Sequence, residues 1–175
     1  DVHNKVSYKL CYKERISTEL LDSLKIGAEL DLTQSMTYRS WQYFRDEDGY
    51  LIGEVDPAGY VTEYILDGAG RTVEKIQFVT TSRGFSRNAD FEKIIPKINA
   101  EDAHTYSFYN ARNQLIQQVD AEGYITQYDY LPNGKTAKAT RYYYPVDNDW
   151  FLNPILNLNP QTSSEDQFSI HTYDE

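Results

Sequence analysis

The side chains best suited to chemistry are acidic and sit in short runs closed by glycine. Asp46, Glu47 and Asp48 offer hard oxygen donors of the kind that hold calcium. Their spacing matches neither an EF-hand loop nor the Gly/Asp rhythm of a calcium β-roll, and turn formation accounts for the same residues. His3, His104 and His171 are scattered along the chain, and the single cysteine, Cys11, has no partner for a disulfide or a thiolate site. Ser82 and Ser86 lie in a polar stretch without a nucleophile elbow, and no glycine-rich phosphate loop precedes a helix. The sixteen tyrosines are the other chemical resource. Their rings suit sugar stacking, and equally suit packing between strands. The sequence therefore reads as a non-enzyme with no metal and no cofactor.

The elements that carry these residues are organised by a repeat. Residues 41–79 laid over 105–143, a shift of 64, agree at eleven positions without a gap, among them Val55/Val119, Asp56/Asp120, Gly59/Gly123, Tyr60/Tyr124 and Tyr64/Tyr128. Inside the first copy, Asp46 to Gly49, Asp56 to Gly59 and Asp67 to Gly70 form a finer beat. Asp at the first position of a turn accepts from amides further on, and Gly at the fourth supplies the positive φ that closes a hairpin. The second copy keeps the geometry with Asn113 in place of Gly49, then Asp120 with Gly123, and Gly134 after Pro132. Asn is the next residue most tolerant of that conformation.

Between these turns the spacing predicts antiparallel four-stranded meanders. Their strands fall near 40–45, 50–55, 60–66 and 71–79, then 105–109, 114–119, 124–130 and 135–143. The fold class is mainly β. Alternation puts Tyr60, Thr62, Tyr64 and Leu66 on one face and Tyr124, Thr126, Tyr128 and Tyr130 on its equivalent, and this more constant face is expected to be the packed one.

The organisation expected is the end of a preceding repeat over 1–12, a spacer with a short helix over 13–39, a repeat unit over 40–79, a spacer over 80–103, a second unit over 104–143, a spacer over 144–170 and the start of a further unit over 171–175. Thr18 would cap the first spacer's helix, with Leu20, Leu21 and Leu24 on one face and Gly27 beyond its end. Asp90 opens one or two helical turns before Pro96, and Trp150, Phe151, Leu152, Ile155 and Leu156 form an irregular apolar plug. Each spacer is expected to cover an end of a meander. His171-Thr-Tyr173 repeats His104-Thr-Tyr106 and is expected to open the next unit, while Val6–Tyr12 resembles a closing strand comparable with Lys138–Tyr143. Part-units and an N-terminal Asp1 suit a window on a longer array, whose outer segments, 1–12 and 171–175, would be poorly paired or would pair with another molecule.

The stretches "FRDEDGYLIGEVDPAGYVTEYILDGAGRTVEKI" and "FYNARNQLIQQVDAEGYITQYDYLPNGKTAKATRYY" resemble the YD repeats of RHS-family proteins. Those include bacterial polymorphic toxins, the cocoons of insecticidal toxin complexes and teneurin ectodomains. The resemblance implies a β-sheet strip that builds a shell or stalk in a large secreted or surface bacterial protein. It implies neighbouring repeats as partners, with an enclosed toxin domain or a cell-surface ligand besides. The long spacers depart from the compact family pattern and look more like the insert-bearing repeats of giant surface proteins. Asp56-Pro57 resembles the aspartate–proline motif of self-cleaving shell cores, but Asp120-Ala121 fills the same slot without proline.

A net charge of −10, from 27 acidic and 17 basic residues, repels phosphate backbones and anionic lipid, so nucleic acid is excluded as a partner. No apolar run is long enough for membrane insertion as a helix. The competing reading is an adhesin-type module that recognises a glycan or a partner protein through its tyrosine faces.

Overall fold

The structure is a computed structural model, and it describes residues 7–12, 38–82, 90–152, 154 and 158–172. The helix expected around Thr18–Gly27 lies outside the described residues. Ten strands are described: β1 (Tyr8–Tyr12), β2 (Tyr38–Arg45), β3 (Leu51–Val55), β4 (Tyr60–Leu66), β5 (Thr72–Thr81), β6 (Ala103–Tyr109), β7 (Leu115–Val119), β8 (Ile125–Tyr130), β9 (Thr136–Arg141) and β10 (Gln167–Ile170). A single-turn helix, α1 (Phe91–Ile94), and a 3-10 turn (Asn148–Leu152) complete the elements. Strand order in the sheet is the order of the chain, so the fold is an open, mainly β antiparallel meander. The short runs of alternating, β-branched and aromatic residues between glycine-closed bends leave few other options.

Two compact units divide the chain, residues 1–61 with 80–96 and residues 62–79 with 97–175. In the first, β1 pairs with β2 from Tyr8↔Gln42 to Tyr12↔Tyr38, and β2 pairs with β3 from Gln42↔Val55 to Arg45↔Leu51, with a bulge between Phe44 and Arg45. In the second, β6 pairs with β7 from Tyr106↔Val119 to Tyr109↔Leu115, with its bulge between Phe108 and Tyr109. Adding 64 to each residue of the β2–β3 ladder gives the β6–β7 ladder, irregularity included.

The register corrects two expectations about the outer strands. The last strand is Gln167–Ile170, inside the stretch read as spacer, and it pairs with β9 from Arg141↔Gln167 to Lys138↔Ile170. The β5–β6 ladder runs from Gln77↔Ala103 to Glu74↔Tyr106. Phe168 therefore takes the place of His104, and the His171 match, three residues out of phase, does not set the strand. Hydrogen-bond register, which fixes every side chain's face, outweighs a three-residue likeness. Residues 8–12, expected to be poorly paired, hold a complete ladder with β2, and the Tyr43 amide extends it to the Ser7 carbonyl at 2.8 Å.

Burial corrects the assignment of the packed face. Tyr60 is 47 % exposed while Val61 beside it is 1 % exposed. In the second copy Ile125 and Val119 are buried and Tyr124 is only half-buried. The deepest side chains thus lie on the face opposite to the tyrosines. Tyrosine recurs because its ring half-buries and its hydroxyl finds a polar group: Tyr109 donates to the Thr72 carbonyl at 3.0 Å and Tyr130 to the Leu115 carbonyl at 2.7 Å.

Candidate functional site

The turns are built by one carboxylate or amide oxygen each. Asp56 Oδ1 accepts from the amides of Ala58 and Tyr60, Asp67 Oδ1 from Ala69 and Arg71, Asp120 Oδ1 from Glu122 and Tyr124, and Asp46 Oδ1 from Tyr50, all at 2.8–3.0 Å. Asn110 does the same for Arg112 and Gln114. The fourth residue donates its own amide back to the first residue's carbonyl in each bend, and Gly49, Gly59, Gly70, Gly123 and Gly134 have φ between 74° and 92°. Asn113 takes the same conformation at φ 61°, which a short polar side chain tolerates better than a bulky one. Arg71 bonds Asp67 at 2.7 Å through Nε and holds its carboxyl below the usual range. It also reaches Asn113 Oδ1 at 2.9 Å and lies over the Tyr109 ring. Arg141 pairs with Asp120 at 2.6 Å and covers Tyr124. Tyr60 and Tyr64 lie on β4, Tyr124 immediately before β8 and Tyr128 within it, and Tyr124 and Tyr128 line separate clefts, the first with Arg141 and Tyr142 and the second with Tyr130.

The 64-residue shift also governs how spacers are fastened, which the sequence comparison missed. Ser82 donates its amide to the Gly59 carbonyl, and Val146 donates to the Gly123 carbonyl, each at 2.9 Å. At the far end, Asp102 Oδ1 accepts from the Val79 amide at 2.9 Å and its Oδ2 from Asn99 at 2.7 Å. Asp166 repeats this with Tyr143 and Ser163, both at 2.9 Å. The Asp102/Asp166 identity was visible in the sequence, at the same shift, but outside the blocks compared.

Within the first unit, α1 lies on a sheet face and not at a meander's end. Phe91 is buried against Phe44, ring centroids 5.0 Å apart, and fills the space where Gly53 has no side chain. In the second unit the equivalent position is Gln117, whose Nε2 donates to the Leu158 carbonyl at 3.0 Å. There Trp150 packs edge-on against Tyr106 and Phe108. Trp150 Nε1 and Gln117 Oε1 are buried without partners among the described residues.

Two groups in the second unit concentrate chemistry. The first is polar: His104 Nδ1 lies 2.7 Å from Glu74 Oε1, and Tyr106 stacks on His104. Burial and then a hydrogen bond with Glu74 push the Tyr106 hydroxyl up to about 12. Burial, with the charge of Glu74, also raises Glu63. Lys138 and Phe168 stand at the equivalent positions one period later and make a cation–π contact at 4.9 Å. The polar group is therefore particular to one place and not a repeat feature. No cluster of three or more metal-ligating side chains occurs among the described residues. The second group is a cleft of about 570 Å³ beside the 3-10 turn, with Ile125 and Trp150 in its wall and Asp147, Asp149, Asn159 and Gln161 around it. No helix among the described residues is long and apolar enough to cross a membrane.

A scan against protein-family models gives no match to this chain, and a search of curated proteins gives no significant one.

Proposed function

We propose that this chain is a structural segment of the YD-repeat (RHS) type from a large secreted or surface bacterial protein. In this reading its work is mechanical: strand after strand extends a sheet that forms a wall, shell or stalk, around a toxin cargo where one is present. The observation that carries the reading is the 64-residue period, which relates the β2–β3 ladder to β6–β7 and the β5–β6 ladder to β9–β10, together with the bulge, the turns and both spacer fastenings, while the β1–β2 ladder stands two residues out of that phase. Such a period suits an element that gains stability from its neighbours, as stacked repeats do.

The test is to insert a second copy of residues 80–143 after residue 143 of the full chain, which adds one spacer and one meander in phase. The lengthened chain is expected to fold with more β-structure and to unfold at higher urea. Loss of folding, or a midpoint independent of copy number, would contradict an array-building role.

A further inference from the structure

We propose that the cleft beside the 3-10 turn is a saccharide site that accepts a neutral hexopyranose ring. The inference is independent of the structural role proposed above. It places binding in a spacer of the second unit, away from the tyrosine faces of the strands.

Size is the first argument. A cleft of about 570 Å³ falls within the roughly 300–1,000 Å³ of small-molecule sites. Its walls are pinned at several points before any ligand arrives. Val146 is bonded to the Gly123 carbonyl, Trp150 donates its amide to the Asp147 carbonyl at 2.9 Å, and the Leu158 carbonyl is held by Gln117. A prepared shape spares the cost of ordering loops on binding. The indole of Trp150 is fixed as well, by edge-on contacts with Tyr106, Phe108 and Phe151 at 5.3, 6.2 and 5.5 Å.

The lining then selects the chemistry. Trp150, Val146 and Pro160 supply an apolar wall suited to the C–H face of a sugar ring, while Asp147, Asp149, Asn159 and Gln161 surround it with exposed acceptors and donors. Carboxylates accept from adjacent hydroxyls, and side-chain amides both accept and donate, as a ring of hydroxyls requires. Two carboxylates on a chain of net charge −10 disfavour sialylated, uronic and sulfated glycans as well as nucleotides. A lysine or arginine side chain would meet the carboxylates and the amide oxygens but leave the amide N–H donors of Asn159 and Gln161 without an acceptor.

The experiment is a titration of the full chain by ¹⁵N NMR with the methyl glycosides of glucose, galactose and mannose, and with N-acetylglucosamine. The chain has two tryptophans, so the Trp150 indole resonance is read against that of Trp41. At least one sugar is expected to shift Trp150 saturably, with a dissociation constant on the order of 1 mM, and to leave Trp41 in place. Asp149→Ala and Gln161→Ala, both at exposed positions, should weaken that binding about fivefold or more without altering the rest of the spectrum. Three results would overturn the assignment: no saturable shift with any of these sugars, undiminished binding by both variants, or a Trp150 response to lysine and arginine amides in place of sugars.

Discussion

Gly53→Ala is the sharpest probe of how a spacer is held on the sheet. Gly53 sits inside β3, where alanine ordinarily stabilises a strand by about 0.5–1 kcal/mol relative to glycine. A Cβ at this position would fall well inside van der Waals contact with three ring carbons of Phe91. No side chain tolerates such an approach, so one partner must move. If the ring stays, overpacking costs about 1–3 kcal/mol. If it leaves, the burial of a phenylalanine that is now 8 % exposed is forfeited, about 1.5–3 kcal/mol. Either way the cost exceeds the gain, and a net loss of about 1–2 kcal/mol is expected. Phe91→Ala alone should cost about 3 kcal/mol. The double variant should cost no more than Phe91→Ala, because the alanine then meets no ring, which gives a coupling of about 2 kcal/mol. Urea unfolding of the full chain followed by circular dichroism measures all three, with Gly68→Ala, whose Cβ would meet nothing within 4 Å, as the control. The reasoning fails if Gly53→Ala is as mild as Gly68→Ala, or if the two single costs simply add.

The spacer fastenings and the polar cluster give two more expectations. Asp102→Ala removes the acceptor of two amides at a buried site and should cost about 2–3 kcal/mol, against about 1 kcal/mol for the more exposed Asp166→Ala; equal denaturation midpoints would contradict this. Tyr106 holds its proton up to about 12, above its ordinary value of 10.0. A raised folded value means that the stabilisation is full below pH 10 and is lost as pH rises towards 12. Tyr106→Phe should flatten that alkaline loss, and alkaline unfolding curves of unchanged steepness would refute the coupling.

Much of the fold was legible because the residues that make it act locally. Asp56, Gly59, Asp120 and Gly123 build their bends from their own backbone, so type and spacing suffice to place the strands between them. What the sequence concealed depends on distant partners. Gly53 reads as an ordinary strand glycine, distinguished only by the Gln117 opposite it in the repeat, until Phe91 is seen above it. The tyrosine face looked like the core because it is the more constant one, changing only at Leu66/Tyr130. Val61 and Ile125 differ between copies, yet both fill the apolar side, since burial asks for volume and not identity. His104 drew attention as half of a short sequence match, whereas its partner Glu74 lies thirty positions earlier and is brought beside it only by pairing of β5 with β6.

A sheet in which every strand neighbours its successor in the chain has a kinetic corollary. Each tight bend needs only a short closure, so hairpins can form on the microsecond scale without waiting for remote segments. The slow searches are the three long ones, from Tyr12 to Tyr38, from Thr81 to Ala103 and from Arg141 to Gln167. Two of these end beside Asp102 and Asp166, which accept from Val79 in β5 and from Tyr143 just past β9, and also from the approach to the strand that follows. These carboxylates tie each of the two long excursions shut at its far end, next to the strand that follows.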